Sequence, residues 1–286
     1  MAHTQTVIIY HGKCPDGFGG AYAAWKKFGD AAEYIPAQYG KPVPENMNGR
    51  NLYFVDFCYD RECMDALAAV AKSIIVLDHH EGVRDVATTF PGIFDSNRSG
   101  ASIAWTYFHP ETPIPLLLRC IEDYDLFRFS LPESRAIDAY LSLEPQEFEH
   151  WDELVKTLED PARRDSILER GRMYAEHTEK LVEHIAASAN LVEFEGHVVY
   201  LSGTVLQAFT DYIGHALATK QPPFALMVRP VADGMRVSLR SVGDFDVSEL
   251  ARRHGGNGHV NAAAFRLPWG ASIPWKPVPK DENPRD

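Results

Sequence analysis

The chain has 286 residues, 45% of them apolar and 24% charged, a formal net charge of −12, and four cysteines with no CxxC pair. That length allows two ordinary domains with full cores. The acidic balance excludes a whole-surface grip on long duplex nucleic acid, which needs a basic face, but leaves room for a local pocket that takes a small anion. The scattered Cys14, Cys58, Cys63 and Cys120 read as a reduced set rather than a disulfide framework. No cleavable signal and no run of transmembrane length is apparent, so a cytoplasmic, membrane-free protein is expected.

The first element is a short β-branched strand, "TVIIY" (6–10), which runs into His11 and a turn rich in Gly and Pro. "GFGGAYAAWKKFG" (17–29) has small residues at helical spacing, and "AEYIPA" (32–37) reads as a short strand. "NLYFVDF" (51–57) is a second apolar run, which closes on Asp56; "RECMDALAAVAKS" (61–73) reads as a helix; and "IIVLDHH" (74–80) is a third apolar run, which ends in Asp78, His79 and His80. Strands alternating with helices predict βαβ units and a parallel sheet. Helices are expected over 99–108 and 115–127, and 158–189 contains a long one that begins after Pro161.

Beyond that helix the pattern changes. A hairpin is expected over 191–203 around Glu195-Gly196, a helix over 206–219, a second hairpin over 224–242 around Asp233-Gly234, and a helix over 246–256 that stops at glycine. The resulting organisation is α/β throughout: a parallel-sheet domain (1–160), a bridging helix (161–190), a second, smaller α/β domain (191–268) and a Pro-rich tail (269–286).

Three strands thus end in polar residues: His11 to Asp16, Asp56, and Asp78 to His80. A single Asp at a strand end is more often a cap or turn residue than a ligand. Several on one sheet edge are different, because ligands of open parallel sheets bind just outside the carboxyl ends of the strands. The oxygen and imidazole donors of Asp16, Asp56 and His79 suit Mn²⁺ or another first-row divalent cation, and two such ions can share a carboxylate. "SNRSGAS" (96–102) has two readings: Arg98, Ser99 and the Gly100 amide cradle an anion at a helix start, or Ser99 simply caps the helix.

The Asp78-His79-His80 triplet after an apolar strand resembles the signature of the DHH phosphoesterase superfamily. "HGKCPDG" (11–17), Asp56 in "FVDF", and "IEDYDLF" (121–127) resemble its first, second and fourth motifs. "VSLRS" (237–241) and "GGNGHVNAAAF" (255–265) resemble the Arg-bearing strand and the glycine-rich closing motif of its DHHA1-type companion domain. These motifs stand in the family order over nearly the whole chain up to the tail.

The resemblance implies a hydrolase that uses up to two divalent cations, Mn²⁺ foremost. It implies His11, Asp16, Asp56 and His79 as ligands, with Asp56 as the bridge. Asp123 or Asp125 would be a further ligand; Asp123 is preferred, and Asp125 is read as a supporting or helix-end residue. Asp78 would orient its neighbours and His80 would lie near the scissile phosphate. Arg240 and His259, with Gly256 and Gly258 close by, would hold substrate phosphate. Cys14 stands where many members carry an acid, and is open between thiolate ligand and bystander. The implied partner is a small phosphorylated substrate or short oligonucleotide, with a homodimer compatible. A phosphodiesterase acting on short oligonucleotides or dinucleotides is expected first. The alternatives are an exopolyphosphatase or pyrophosphatase, and a nucleotide-binding regulator with weakened catalysis.

Overall fold

A computed structural model describes residues 5–126, 128–203 and 206–278, apart from the side chains of Ala208 and His259. The chain divides into two compact units, Met1–Ala175 and Glu176–Asp286.

The first unit is built on β1 (Thr6–His11), β2 (Ala32–Ala37), β3 (Asn51–Val55), β4 (Ser73–Asp78) and β5 (Gly92–Phe94). They form one sheet in the order β2-β1-β3-β4-β5, and every neighbouring pair is parallel. Its helices are α1 (Pro15–Phe28), α2 (Arg61–Ala68), α3 (Arg84–Ala87), α4 (Gly100–Phe108), α5 (Leu116–Asp125), α6 (Ser134–Leu141), α7 (Phe148–Glu159) and α8 (Pro161–Ala187), the last running on into the second unit. A parallel sheet is covered on both faces, so its strands must be apolar on both. In β1, Ile8 and Tyr10 join the core under α1, α4 and α5, while Val7 and Ile9 join the core under α2. All β-strand C-termini lie along one edge. The register His11↔Ala37 and Tyr10↔Val55 therefore brings the residues after β1, β2 and β3 to a common rim.

The second unit holds the end of α8, α9 (Thr210–Lys220), α10 (Val247–Arg253) and a seven-stranded sheet. Its strands are β6 (Asn190–Phe194), β7 (His197–Gly203), β8 (Phe224–Val231), β9 (Gly234–Ser241), β10 (Asn257–His259), β11 (Ala262–Pro268) and β12 (Lys276–Pro277), in the order β10-β11-β9-β8-β7-β6-β12. Only β7 and β8 pair in parallel, across the α9 crossover. Glu195 and Gly196 both take positive φ (51° and 78°), as the two-residue turn between β6 and β7 requires. The second hairpin turns on Ala232 and Asp233, and Gly234 is already in β9 opposite Val231. The tail contributes β12, which pairs with β6. No helix among the described residues is long and apolar enough to cross a membrane.

Candidate metal centre

Asp16, in the first turn of α1, is 1% exposed. Its Oδ2 accepts from the Gly100 amide (2.7 Å) and its Oδ1 from the Ala101 amide (2.9 Å). The first amides of α4 have no helical partner and carry positive dipole ends, so they hold a carboxylate well. They are therefore committed to Asp16 and not to a bound anion. Ser99 caps α4 by accepting from the Ser102 amide, and its own amide donates to Glu122. Arg98 donates to Ser102 O and to Thr106 Oγ1. Of the two readings of 96–102, the structure thus shows the cap.

Asp56 follows β3 in the left-handed region, with φ 55°, and is 1% exposed. A non-glycine residue pays roughly 1 kcal/mol or more for that conformation, although Asp tolerates it better than most. Its amide donates to Leu77 O of the neighbouring strand. Gly100 lies against it: a Cβ there would stand 2.4 Å from Asp56 Cβ, so only glycine lets α4 approach this closely.

Asp78 ends β4 at 0% exposure. Its Oδ1 accepts from the amides of His79 (2.7 Å) and His80 (3.0 Å), and His80 Nδ1 lies 2.8 Å away. It therefore fixes the backbone of both histidines and the His80 imidazole. His79 Nε2 stands 3.1 Å from Asp56 Oδ1, 3.6 Å from Asp16 Oδ2 and 3.7 Å from Asp125 Oδ2, and His80 Nδ1 is 3.5 Å from Asp56 Oδ1.

The three acids of "IEDYD" have three different surroundings. Glu122 pairs with Arg128 and accepts from the Ser99 amide. Asp123, 3% exposed, accepts from the Ser130 amide (2.8 Å), Ser130 Oγ, the Leu131 amide (3.1 Å) and Ser134 Oγ (2.7 Å). All its lone pairs are spent on the turn that leads into α6. Asp125 is the one beside His79. The expectation of Asp123 as a ligand is corrected accordingly. Two residues on a helix are about 200° of rotation, so the two carboxylates leave opposite sides of α5.

Among the described residues, three groups place their donor atoms within 4.8 Å of one another: His11, Cys14 and Asp56; Asp56, His79 and His80; and Asp16, His79 and Asp125. Asp56 belongs to two of them and so does His79. Cys14, at the N-cap position of α1 with no capping bond from its side chain, thus stands among the donors. His11 Nδ1 and Asp56 Oδ2 are 3.3 Å apart, yet both are buried without a hydrogen bond. Two such unpaired buried polar atoms facing each other fit a cation between them. The mixed carboxylate, imidazole and thiol set suits a divalent transition metal.

The electrostatics agree. Burial pushes the Asp16 carboxyl well above its usual range, helped by the charges of Asp56 and Asp125. Burial also pushes the Cys14 thiol up, with Asp56 and Asp16 adding to it. Burial works against charge on His79, but its bond to Asp56 and the charges of Asp16, Asp56 and Asp125 outweigh this and raise its pKa to about 10. Burial raises Asp56 as well, but the imidazoles of His11, His79 and His80 bring its carboxyl below the usual range. Crowded carboxylates that hold protons on their neighbours call for added positive charge.

Tyr39, in the loop after β2, is 46% exposed and packs its ring against His11 (centroids 5.7 Å), Phe57 (4.8 Å) and His80 (6.3 Å). No motif or periodicity in the sequence marks it. Only the placement of β2 beside β1 would have put it on the rim.

In the second unit, Arg240 is on β9, where its Nε pairs with Asp211 at 2.5 Å and a terminal nitrogen donates to Leu239 O. Gly256 precedes β10 and Gly258 lies within it; a Cβ at Gly256 would stand 2.2 Å from Ala264 O and one at Gly258 2.3 Å from Ala263 Cα. Both glycines are thus required for β10 to meet β11. The side chain of His259 lies outside the described residues.

Fold and site together define a parallel α/β unit with a carboxylate and imidazole centre at its strand ends, followed by a smaller mixed-sheet unit. No family profile matches the chain. A curated relative, an uncharacterized protein of Acanthamoeba polyphaga mimivirus, is 27% identical over 91% of this chain, which spans 66% of that relative's length. Among solved structures the chain is similar to a pGpG-specific phosphodiesterase from Vibrio cholerae (TM-score 0.52, 15% identity, 92% of this chain and 93% of that one). It is also similar to a DHH-domain structure (0.57, 13%, 91% and 82%) and to an exonuclease RecJ bound to manganese (0.51, 13%, 92% and 86%). The chain has the fold of these DHH-domain proteins.

Proposed function

We propose that the chain is a metal-dependent phosphoesterase that hydrolyses the phosphodiester bonds of short oligonucleotides or dinucleotides. The observation that carries the proposal is the pair of donor sets, His11–Cys14–Asp56 and Asp16–His79–Asp125, which meet where Asp56 and His79 stand 3.1 Å apart. Asp56, which also groups with His79 and His80, is assigned as the carboxylate shared between the two sets. Mn²⁺ is the first choice of ion, supported by the manganese named for the RecJ structure. Divalent cations held there supply Lewis-acid chemistry: they offset charge on phosphoryl oxygens and acidify water.

The chain's own residues do the rest. Asp78 fixes the His79 and His80 backbone and the His80 ring, so that His80 keeps one orientation beside the centre, where it is assigned to the phosphate undergoing attack. The amides of Gly100 and Ala101 hold Asp16, so the donor set needs little reorganisation. Tyr39 offers an exposed ring at the rim, on which a nucleobase can stack. Arg240 and His259 are assigned to substrate phosphate. Four free cysteines support a reducing, cytoplasmic setting.

The test is product analysis with the purified full chain and Mn²⁺ on 5′-phosphorylated dinucleotides, short oligonucleotides, a nucleoside bisphosphate and inorganic polyphosphate. Nucleoside monophosphates from the phosphodiesters are expected. Orthophosphate from polyphosphate with the phosphodiesters intact would move the chain to the phosphoanhydride class. No turnover on any of them would sink the proposal.

A further inference from the structure

Arg229, Arg236 and Arg266 stand in one row across the second sheet: Arg236 of β9 is paired with Arg229 of β8 on one side and with Arg266 of β11 on the other. Directly opposed residues of an antiparallel pair point to the same face, and like charges there are destabilising. In a chain of net charge −12, three adjacent cations in one row are not explained by solubility.

The outer two have partners. Arg229 donates to Gln207 Oε1 at 3.0 Å, and Arg266 pairs with Asp233 at 2.8 Å. Arg236, half-buried between them, has no hydrogen bond or ion pair among the described residues. Burial and its arginine neighbours lower its pKa. It lines a cavity of about 310 Å³ together with Arg266, Gly255, Gly256, Asn257 and Ala264. A half-buried cation without a partner, facing a cavity walled by backbone and a second cation, is built to receive an anion.

Arg236 and Arg240 are four residues apart on β9 and share a face. Their Cα atoms are therefore about 13 Å apart along the strand, which is more than one phosphate step of an extended single strand. We propose that Arg236, with Arg266 and Arg229 beside it, is a second phosphate subsite that favours single-stranded oligonucleotides longer than a dinucleotide. This rests on the phosphoesterase reading, with Arg240 at the first phosphate. A dinucleotide reaches Arg240 alone; a tetranucleotide reaches both.

The experiment is fluorescence anisotropy with labelled single-stranded dinucleotide and tetranucleotide on the full chain in EDTA, where metal-dependent turnover is absent. In the wild type, affinity should rise about ten-fold from dinucleotide to tetranucleotide, and the slope of log K against log salt should steepen by about 0.7. Arg236→Ala should lose both gains and bind the dinucleotide as the wild type does; Arg236→Lys should keep most of the gain. Because Arg236→Ala relieves repulsion, its Tm should match or exceed the wild type, which separates lost binding from lost folding. A dinucleotide bound as tightly as the tetranucleotide, or a length gain that survives in Arg236→Ala, would overturn the subsite. Displacement of the tetranucleotide by tripolyphosphate as readily as by unlabelled tetranucleotide would overturn the oligonucleotide assignment. Failure of the underlying reading shows elsewhere, as absent turnover with Mn²⁺, and leaves the anisotropy result to be judged alone.

Discussion

Replacing Asp123 and Asp125 one at a time by Asn should produce opposite phenotypes. The Asp123 carboxylate accepts four hydrogen bonds, two on each oxygen, with one backbone amide on each side. An amide side chain has one oxygen, so its NH₂ must face either the Ser130 or the Leu131 amide, donor to donor. Losing one such bond to a charged acceptor and burying an unsatisfied donor costs about 2–4 kcal/mol. For a unit of the size of Met1–Ala175, that lowers Tm by about 5–15 °C. The pH dependence has a fixed sign. Burial pushes the Asp123 carboxyl up, but bonds from Ser130 and Ser134 outweigh it and hold the group below its usual range. Its contribution is therefore present above the unfolded pKa of about 4 and is lost as pH falls through the lower folded value. Asp123→Asn should lack this acid limb while keeping its Mn²⁺ affinity. Asp125→Asn should leave the metal-free Tm equal or higher, because burial and the charge of Asp56 already disfavour its ionised form, and it should weaken Mn²⁺ binding. Thermal melts across pH with and without Mn²⁺, plus equilibrium dialysis, read all of this. A wild-type melt for Asp123→Asn together with wild-type metal binding for Asp125→Asn would refute the assignment.

Three further outcomes are expected. Cys14 should be protected from alkylation by bound metal and exposed by chelation, and Cys14→Asp should shift preference toward Mn²⁺ over Zn²⁺; identical labelling in both states would remove Cys14 from the donor set. In the metal-free chain the raised pKa of His79, about 10 against 6.5, gives stability that is full below 6.5 and lost as pH rises through about 10. A cation must displace that proton, so Mn²⁺ affinity should rise with pH, and titration calorimetry in buffers of different ionisation enthalpy should show proton release; buffer-independent heats would contradict this. Gly100→Ala places a methyl group 2.4 Å from Asp56 Cβ, so it should cost about 1–3 kcal/mol of stability and displace Asp56 enough to weaken metal binding; unchanged melting and unchanged affinity would count against the packing argument.

Much of the centre was legible because its chemistry conflicts with its surroundings. Apolar strands that end in Asp56 and in Asp78-His79-His80 announce themselves, and parallel topology brings their ends together. The choice between Asp123 and Asp125 was not legible, since it depends on where Ser130 and Ser134 fold back, and nothing local to α5 encodes that. Tyr39 was invisible because its neighbours His11 and His80 are set by strand order. The helices α6 and α7 follow a proline-interrupted stretch whose partners are distant, and β5 is three residues long, too short for a period to show. In the second unit, the family resemblance assigns the glycines of 255–258 to phosphate, whereas Gly256 and Gly258 are also demanded by the approach of β10 to β11. The arginine row is not legible in the sequence because a register, not a spacing, aligns Arg229, Arg236 and Arg266.

Asp56 is proposed to join the His11 and Cys14 donors to the His79 and His80 donors in one metal-dependent phosphoesterase centre. Asp56→Asn tests it well, because Asn tolerates the left-handed backbone at φ 55° and changes little but the charge. The measurement is the rate of nucleoside monophosphate release from a 5′-phosphorylated dinucleotide as Mn²⁺ is titrated into metal-free wild type and Asp56→Asn. The expected result is no turnover without metal, saturable activation of the wild type, and at least about a hundred-fold loss in the variant even at saturating Mn²⁺, with its fold intact. Equal rates for the two proteins, or a wild-type rate indifferent to metal, would contradict it.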